Sequence, residues 1–303
     1  MSAVTTVRPL NDTERDAFRV ARLVAYHQMP YYASGLFALL PVSAPGLGTF
    51  AVDKSWRLYM DPALLVGESA WAPNLAGGVL LHELGHLLRV HAARAEGLKQ
   101  PHSHSLWNLA GDAEINDDLL DAGVALPEGV VTPQALGCSV HGIAEDYYAS
   151  LHNDKDSQPD SGDGSSGDGQ PGDGDDEPGC GSGAGAGSIP GELAPSESVD
   201  GHPGVDEANG GMIRRRIAEA VREAASGSGR GTVPAGVRRW ADGVLAPPKV
   251  PWNRVLRSVV RRAVADAAGR VQFSYSRPSR RSGGGLIFPS MRGPRLRVSI
   301  VVD

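Results

Sequence analysis

Cysteine is scarce in this chain: Cys138 and Cys180 are the only two among 303 residues. Two thiols, one of them in a glycine-rich stretch, make no disulfide framework. That excludes the small disulfide-stapled class and fits a reducing, cytoplasmic setting. Long apolar runs are missing too, and none reaches the ~18 residues of a membrane span. The first residues, Met1 to Thr6, lack a basic start followed by an apolar run, so no signal peptide is expected. Aromatics are only 6%, against 39 Gly and 22 Pro, so part of the length is not expected to join a core. The net charge of −6 conceals an asymmetry: −7 over 1–153, −11 over 154–205 and +12 over 206–303. A basic tail raises the question of nucleic acid. However, Arg254, Arg257, Arg261 and Arg262 alternate with Val255, Leu256, Val259 and Val260 as the polar face of an amphipathic helix, and no groove-reading motif accompanies them. Nucleic acid is not the expected partner.

What is present centres on Leu81-His82-Glu83-Leu84-Gly85-His86-Leu87-Leu88. In an α-helix, residues four apart lie one turn above each other, so His82 and His86 point the same way. Two imidazoles on one face can share a Zn2+ ion, and Glu83, about 100° around the helix, is placed to act as general base toward a water on the metal. The surrounding leucines predict a buried helix, in which such polar groups need a compensating partner.

Upstream, Asn11-Asp12-Thr13-Glu14 predicts a helix start and Pro30 its end. Strands are expected over Leu36 to Leu40, Gly48 to Val52 and Arg57 to Met60, with a short helix after Asp61-Pro62. An edge strand of such a small sheet can pair with an extended substrate. The active-site helix is expected from Pro73 to about Ala95. His91 lies about 180° from His82 on a continuous helix, and no glycine intervenes to break it, so it is read as a hydrogen-bonded helix histidine and not as a ligand.

A second helix is expected over Leu106 to Leu120. On it Asn108, Asp112 and Asn116 form one polar stripe. Glu114 lies about 200° from Asp112, so the helix can present only one of the two carboxylates to a metal.

The pairing of H-E-L-G-H with W-N-L-A-G-D-A-E-I-N resembles the bacterial metallopeptidase family whose members carry a C-terminal VWA-like domain. His82, Glu83, His86, Trp107, Asn108, Asp112 and Asn116 match its pattern. The similarity continues in Ala144 to Tyr148, Pro251 to Leu256, Phe273 to Arg281 and Gly293 to Asp303. The resemblance implies His82, His86 and Asp112 as metal ligands and Glu83 as catalytic base. Asn108 and Asn116, on the same helix face as Asp112, are expected to orient it through their amides. It also implies a MoxR-type AAA+ ATPase as partner. Val298 to Val302 reads as the first strand of the VWA-like domain, and the chain stops at Asp303, where that domain's metal-binding loop would begin, so a truncated protein is expected.

The fold expected is therefore α+β: a zincin-like metallopeptidase domain over 1–152, a disordered Asp/Gly/Ser/Pro linker over 153–205, and a helical Arg-rich segment over 206–303. The linker contains one reactive group, Cys180, a candidate inhibitory ligand for the zinc; the plainer reading is an inert linker thiol. The function expected is zinc-dependent hydrolysis of peptide or protein substrates in the cytoplasm. The alternative is a non-catalytic, metal-stabilised interaction module in a MoxR/VWA assembly, which a closed site of four protein ligands would favour.

Overall fold

A computed structural model describes residues 6–99, 102–156, 180–227, 233–247, 252–268, 272–281 and 284–292. The chain divides into two compact units, 1–246 and 247–303.

The first unit begins with helix α1 (Asp12–Gln28), opened by a capping box in which Asn11 and Glu14 satisfy each other's backbone N–H groups. A 3-10 turn at Pro30–Tyr32 leads into the short helix α2 (Ala33–Leu36). Three strands follow: β1 (Leu40–Ser43), β2 (Phe50–Val52) and β3 (Arg57–Met60). Leu36, expected at a strand start, ends α2 instead. β3 is central, parallel to β1 and antiparallel to β2, and β2 is an edge. Next come α3 (Pro73–Leu88), α4 (His91–Glu96), α5 (His104–Asp121) and α6 (Ala144–Asp156).

α3 is the core of the unit. Leu80, Leu81, Leu84, Leu87 and Leu88 are all buried, packed with Phe18 and Ala21 of α1 and Ile115 and Leu119 of α5. Burying each such leucine contributes about 1.5–3 kcal/mol, enough to hold the histidines and Glu83 of the same helix out of water. Helices α7 (Glu207–Ser226) and α8 (Ala235–Leu245) close this core from the far end of the sequence, through Ile217, Val221, Val237 and Ala241. The first unit thus takes in chain that the sequence reading assigned to the C-terminal segment.

The active-site helix does not run to Ala95. It ends at Leu88, and Val90 sits in the left-handed region at φ 51°. For a β-branched residue this costs on the order of 1–3 kcal/mol. Its neighbours hold it there: buried Arg89 pairs with Asp118 at 2.5 Å and with Glu114 at 3.2 Å, and Arg94 pairs with Glu114 and Glu145.

From Cys180 onward the expected linker is a docked segment. A 3-10 turn at Ser182–Ala184 lies on β2, with Val52 N–H donating to the Cys180 carbonyl at 2.9 Å. Arg57 donates to the carbonyls of Leu193, Ala194 and Glu197, while its Nε and the Tyr59 hydroxyl are held by Asp53. Ile189 is buried against Val42, Ala51 and Tyr59.

The second unit contains α9 (Trp252–Ala268) and a two-stranded antiparallel sheet, β4 (Gln272–Ser274) with β5 (Ser290–Arg292). Val255, Leu256 and Val259 of α9 are exposed. The strand expected at Val298 to Val302 lies outside the described residues. Among the described residues, no helix is long and apolar enough to cross a membrane.

Candidate metal centre

Helices α3 and α5 approach each other at Gly85 and Gly111. A Cβ on Gly85 would meet Ile115 Cγ2 at 2.9 Å, and one on Gly111 would meet His91 Nδ1 at 2.9 Å. The two glycines therefore let the histidine face of α3 come against the Asp112 face of α5.

Four side chains converge there: His82, His86, Asp112 and Cys180, with one donor atom from each lying within 4.8 Å of the others. His82 Nε2 and His86 Nε2 are 3.1 Å apart. Asp112 Oδ1 is 3.5 Å from the first and 3.2 Å from the second. The Cys180 sulfur is 3.7 Å from His82 Nε2 and 3.7 Å from Asp112 Oδ1. A tetrahedral zinc site with bonds of about 2.0–2.1 Å to N and O and 2.3 Å to S requires edges of about 3.3 Å between N and O donors and about 3.6 Å to sulfur. These five separations match the required edges to within a few tenths of an ångström, and the sixth, from the Cys180 sulfur to His86, lies within 4.8 Å, so the two histidines and Asp112 fit a zinc-type ion, with the thiol beside them.

The outer atoms of the rings are arranged accordingly. Asn116 Nδ2 donates to the Val131 carbonyl at 2.9 Å, which turns its Oδ1 toward His82 Nδ1 at 2.8 Å. An amide oxygen only accepts, so His82 carries a proton on Nδ1, and Nε2 is the nitrogen whose lone pair a cation would take. Asn116, expected to orient Asp112, orients His82 instead. Asn108 does reach Asp112, its Nδ2 lying 3.4 Å from Oδ2.

His91 is the residue that sequence reasoning set aside. The break at Val90 carries its ring to the back of His86, with the two Nδ1 atoms 2.9 Å apart. No glycine or proline marks that break, so helical periodicity gave no signal for it. Glu114 faces away from the centre, into Arg89, Arg94 and His91, and its Oε2 also accepts from Ala144 N–H. It is buried, not solvent-facing.

The electrostatics of the pocket are set by burial and by the Asp112 carboxylate. Burial lowers His86, to about 3, despite its hydrogen bond to Asp112. Burial also opposes the charge on His82, but Asp112 outweighs it and pushes that ring up to about 9. Burial raises Glu83 to about 8, and its Oε2 has no hydrogen-bond partner among the described residues. Burial, with the carboxylates of Asp112 and Glu83, pushes the Cys180 thiol up. A bound cation reverses this balance and deprotonates a coordinating thiol.

No curated protein and no solved structure gives a significant match to the chain. A family pattern does, over nearly its whole length. With two histidines, an aspartate and a cysteine gathered around one point, the match to residues 13–292 settles the assignment: the chain belongs to the family described as "Putative metallopeptidase domain".

Proposed function

We propose that this protein is a zinc-dependent metallopeptidase with His82, His86 and Asp112 as ligands and Glu83 as general base. The observation that carries the reading is the convergence of His82 Nε2, His86 Nε2 and Asp112 Oδ1 at 3.1–3.5 Å. Zinc bound there would lower the pKa of water and polarise a peptide carbonyl. Glu83, buried and with one oxygen unpaired, takes the proton from the attacking water and returns it to the leaving amine nitrogen. Asn116 holds the His82 ring in its metal-facing tautomer. The edge of β2, where Val52 N–H is bonded to the Cys180 carbonyl, would offer backbone groups to an extended peptide once that segment leaves it.

The test is metal analysis of the purified protein together with cleavage of unstructured peptides by wild type and Glu83→Gln. One zinc per chain in both, with turnover lost in the variant, is the expected result. Equal turnover in the two would remove Glu83 from the mechanism.

One observation favours a second reading. Cys180 completes a set of four protein donors, and structural zinc sites are closed in this way. In that case the centre would stabilise an interaction module, with a MoxR-type ATPase as the partner the family resemblance implies. Turnover that stays absent when Cys180 is replaced, with zinc retained, would select it.

A further inference from the structure

The Cys180 sulfur touches His82 and Asp112 and also interacts with the Glu83 carboxyl. A water activated between the metal and its base would occupy that same position. The backbone around it is seated just as closely. The Cys180 carbonyl accepts from Val52 N–H on the outer edge of β2. A Cβ on Gly181 would lie 2.5 Å from the Val52 carbonyl oxygen, and one on Gly183 2.9 Å from it. Beyond them Trp107 Nε1 donates to the Ala184 carbonyl at 3.2 Å, and His104 Nδ1 lies 3.1 Å from the Gly185 carbonyl. Glu192 ties the segment down by accepting from the Ser182 hydroxyl and from Ile189 N–H.

From this geometry we infer that residues 180–185 are a built-in pseudosubstrate: a strap that meets the β2 edge at Cys180 and turns over it in a 3-10 turn, with the Cys180 thiolate as fourth metal ligand, holding the centre latent. The inference rests on the metal-centre reading above. The glycines at 181 and 183 fit a path too close to β2 for side chains. The cysteine between the strap and the metal supplies the soft donor that zinc-type ions accept readily. Catalysis then requires the strap to leave β2, which frees both the fourth position and the strand edge for a peptide.

The test uses the full chain with Co2+ in place of Zn2+. Wild type should show visible bands of a tetrahedral cobalt site and an intense near-ultraviolet band from thiolate-to-cobalt charge transfer. Cys180→Ser should keep the cobalt and the visible bands and lose the near-ultraviolet one. The zinc form of Cys180→Ser should cleave peptides at least about tenfold faster than wild type if nine-tenths or more of the molecules are closed. Gly181→Ala, which keeps the cysteine in the chain but pushes the strap, and the thiol with it, off Val52, should weaken the charge-transfer band and raise cleavage in parallel. Visible bands in wild type without charge transfer would overturn the strap and leave the three-ligand centre standing. Failure to bind cobalt at all would overturn the centre itself, and the strap with it. Unchanged cleavage in both variants, with the band lost, would overturn the latency.

Discussion

His91 Nδ1 lies 2.9 Å from His86 Nδ1, so that one imidazole stands directly behind another whose far nitrogen faces the metal centre. Of two facing nitrogens, one must donate. His91 Nε2 is 3.5 Å from Glu114 Oε2; a proton there leaves His91 Nδ1 to accept from His86 Nδ1–H. The lone pair of His86 Nε2 is then free for a cation.

His91→Phe should therefore lower zinc affinity about 10–100-fold, the usual effect of losing a group that orients a ligand. His91→Gln, whose amide oxygen can accept the same proton, should recover part of the loss. Chelator competition measures both. Full affinity in His91→Phe would mean that His91 merely fills space beside Gly111.

The same pair separates what periodicity can and cannot reveal. His82 and His86 share a face because both lie on one unbroken helix, and the Asn108–Asp112–Asn116 stripe follows from the same arithmetic. His91 sits beyond Val90, whose left-handed backbone is imposed by Arg89 reaching Asp118 and Glu114. That break is a tertiary effect, invisible to propensity. The docking of 180–205 was hidden for another reason. Its contacts are mostly made by backbone carbonyls and glycines against β2 and β3, so no apolar stripe announces them, and the low-complexity composition around Cys180 points to a spacer. The joining of α7 to the first core through Ile217 and Val221 follows from packing across that spacer, which composition alone does not convey.

Arg57 provides a direct probe of the docked segment. Its guanidinium donates to three carbonyls over Leu193 to Glu197 and is held by the buried Asp53. Arg57→Ala should expose 189–199 to limited proteolysis and speed its amide exchange. Removing one partner of a buried pair should also cost about 3–5 kcal/mol of stability. Unaltered protection of that stretch would show that the segment is held by Ile189 and Glu192 without Arg57.

Glu83 should be a burden on stability in the metal-free protein. The residue is 1% exposed, one carboxylate oxygen has no partner among the described residues, and burial raises the carboxyl to about 8. A carboxyl raised above its unfolded value of about 4.3 binds its proton more tightly in the fold. Folding therefore loses stability as pH climbs from about 4 toward 8. Glu83→Gln removes that loss, so the variant should melt higher than wild type in chelator, with a gain that grows over this range. Melting temperatures measured across it decide the matter; a gain independent of pH would show that Glu83 does not titrate between fold and unfolded chain.

Asp112 and Glu114 lie two residues apart on α5 yet face opposite environments, which makes them the most discriminating pair of substitutions. Asp112 Oδ1 stands 3.2 Å from His86 Nε2 and 3.5 Å from His82 Nε2. Glu114 instead meets Arg89, Arg94 and His91, and these outweigh its burial to hold its carboxyl below the usual carboxylate range. Asp112→Ala should emerge from purification with little metal, and in chelator it should also lose the stability that its carboxylate draws from His82 and His86. Glu114→Ala should keep its metal. It leaves Arg89 and Arg94 short of a counter-charge in a buried network and should cost about 3–5 kcal/mol, while folded protein retains about one zinc per chain. Its zinc affinity should fall only modestly, by the share that Glu114 contributes through His91. Metal content by elemental analysis and unfolding in urea with chelator give the two axes. Metal loss in Glu114→Ala with retention in Asp112→Ala would move the third ligand to the other face of the helix and overturn the assignment of Asp112.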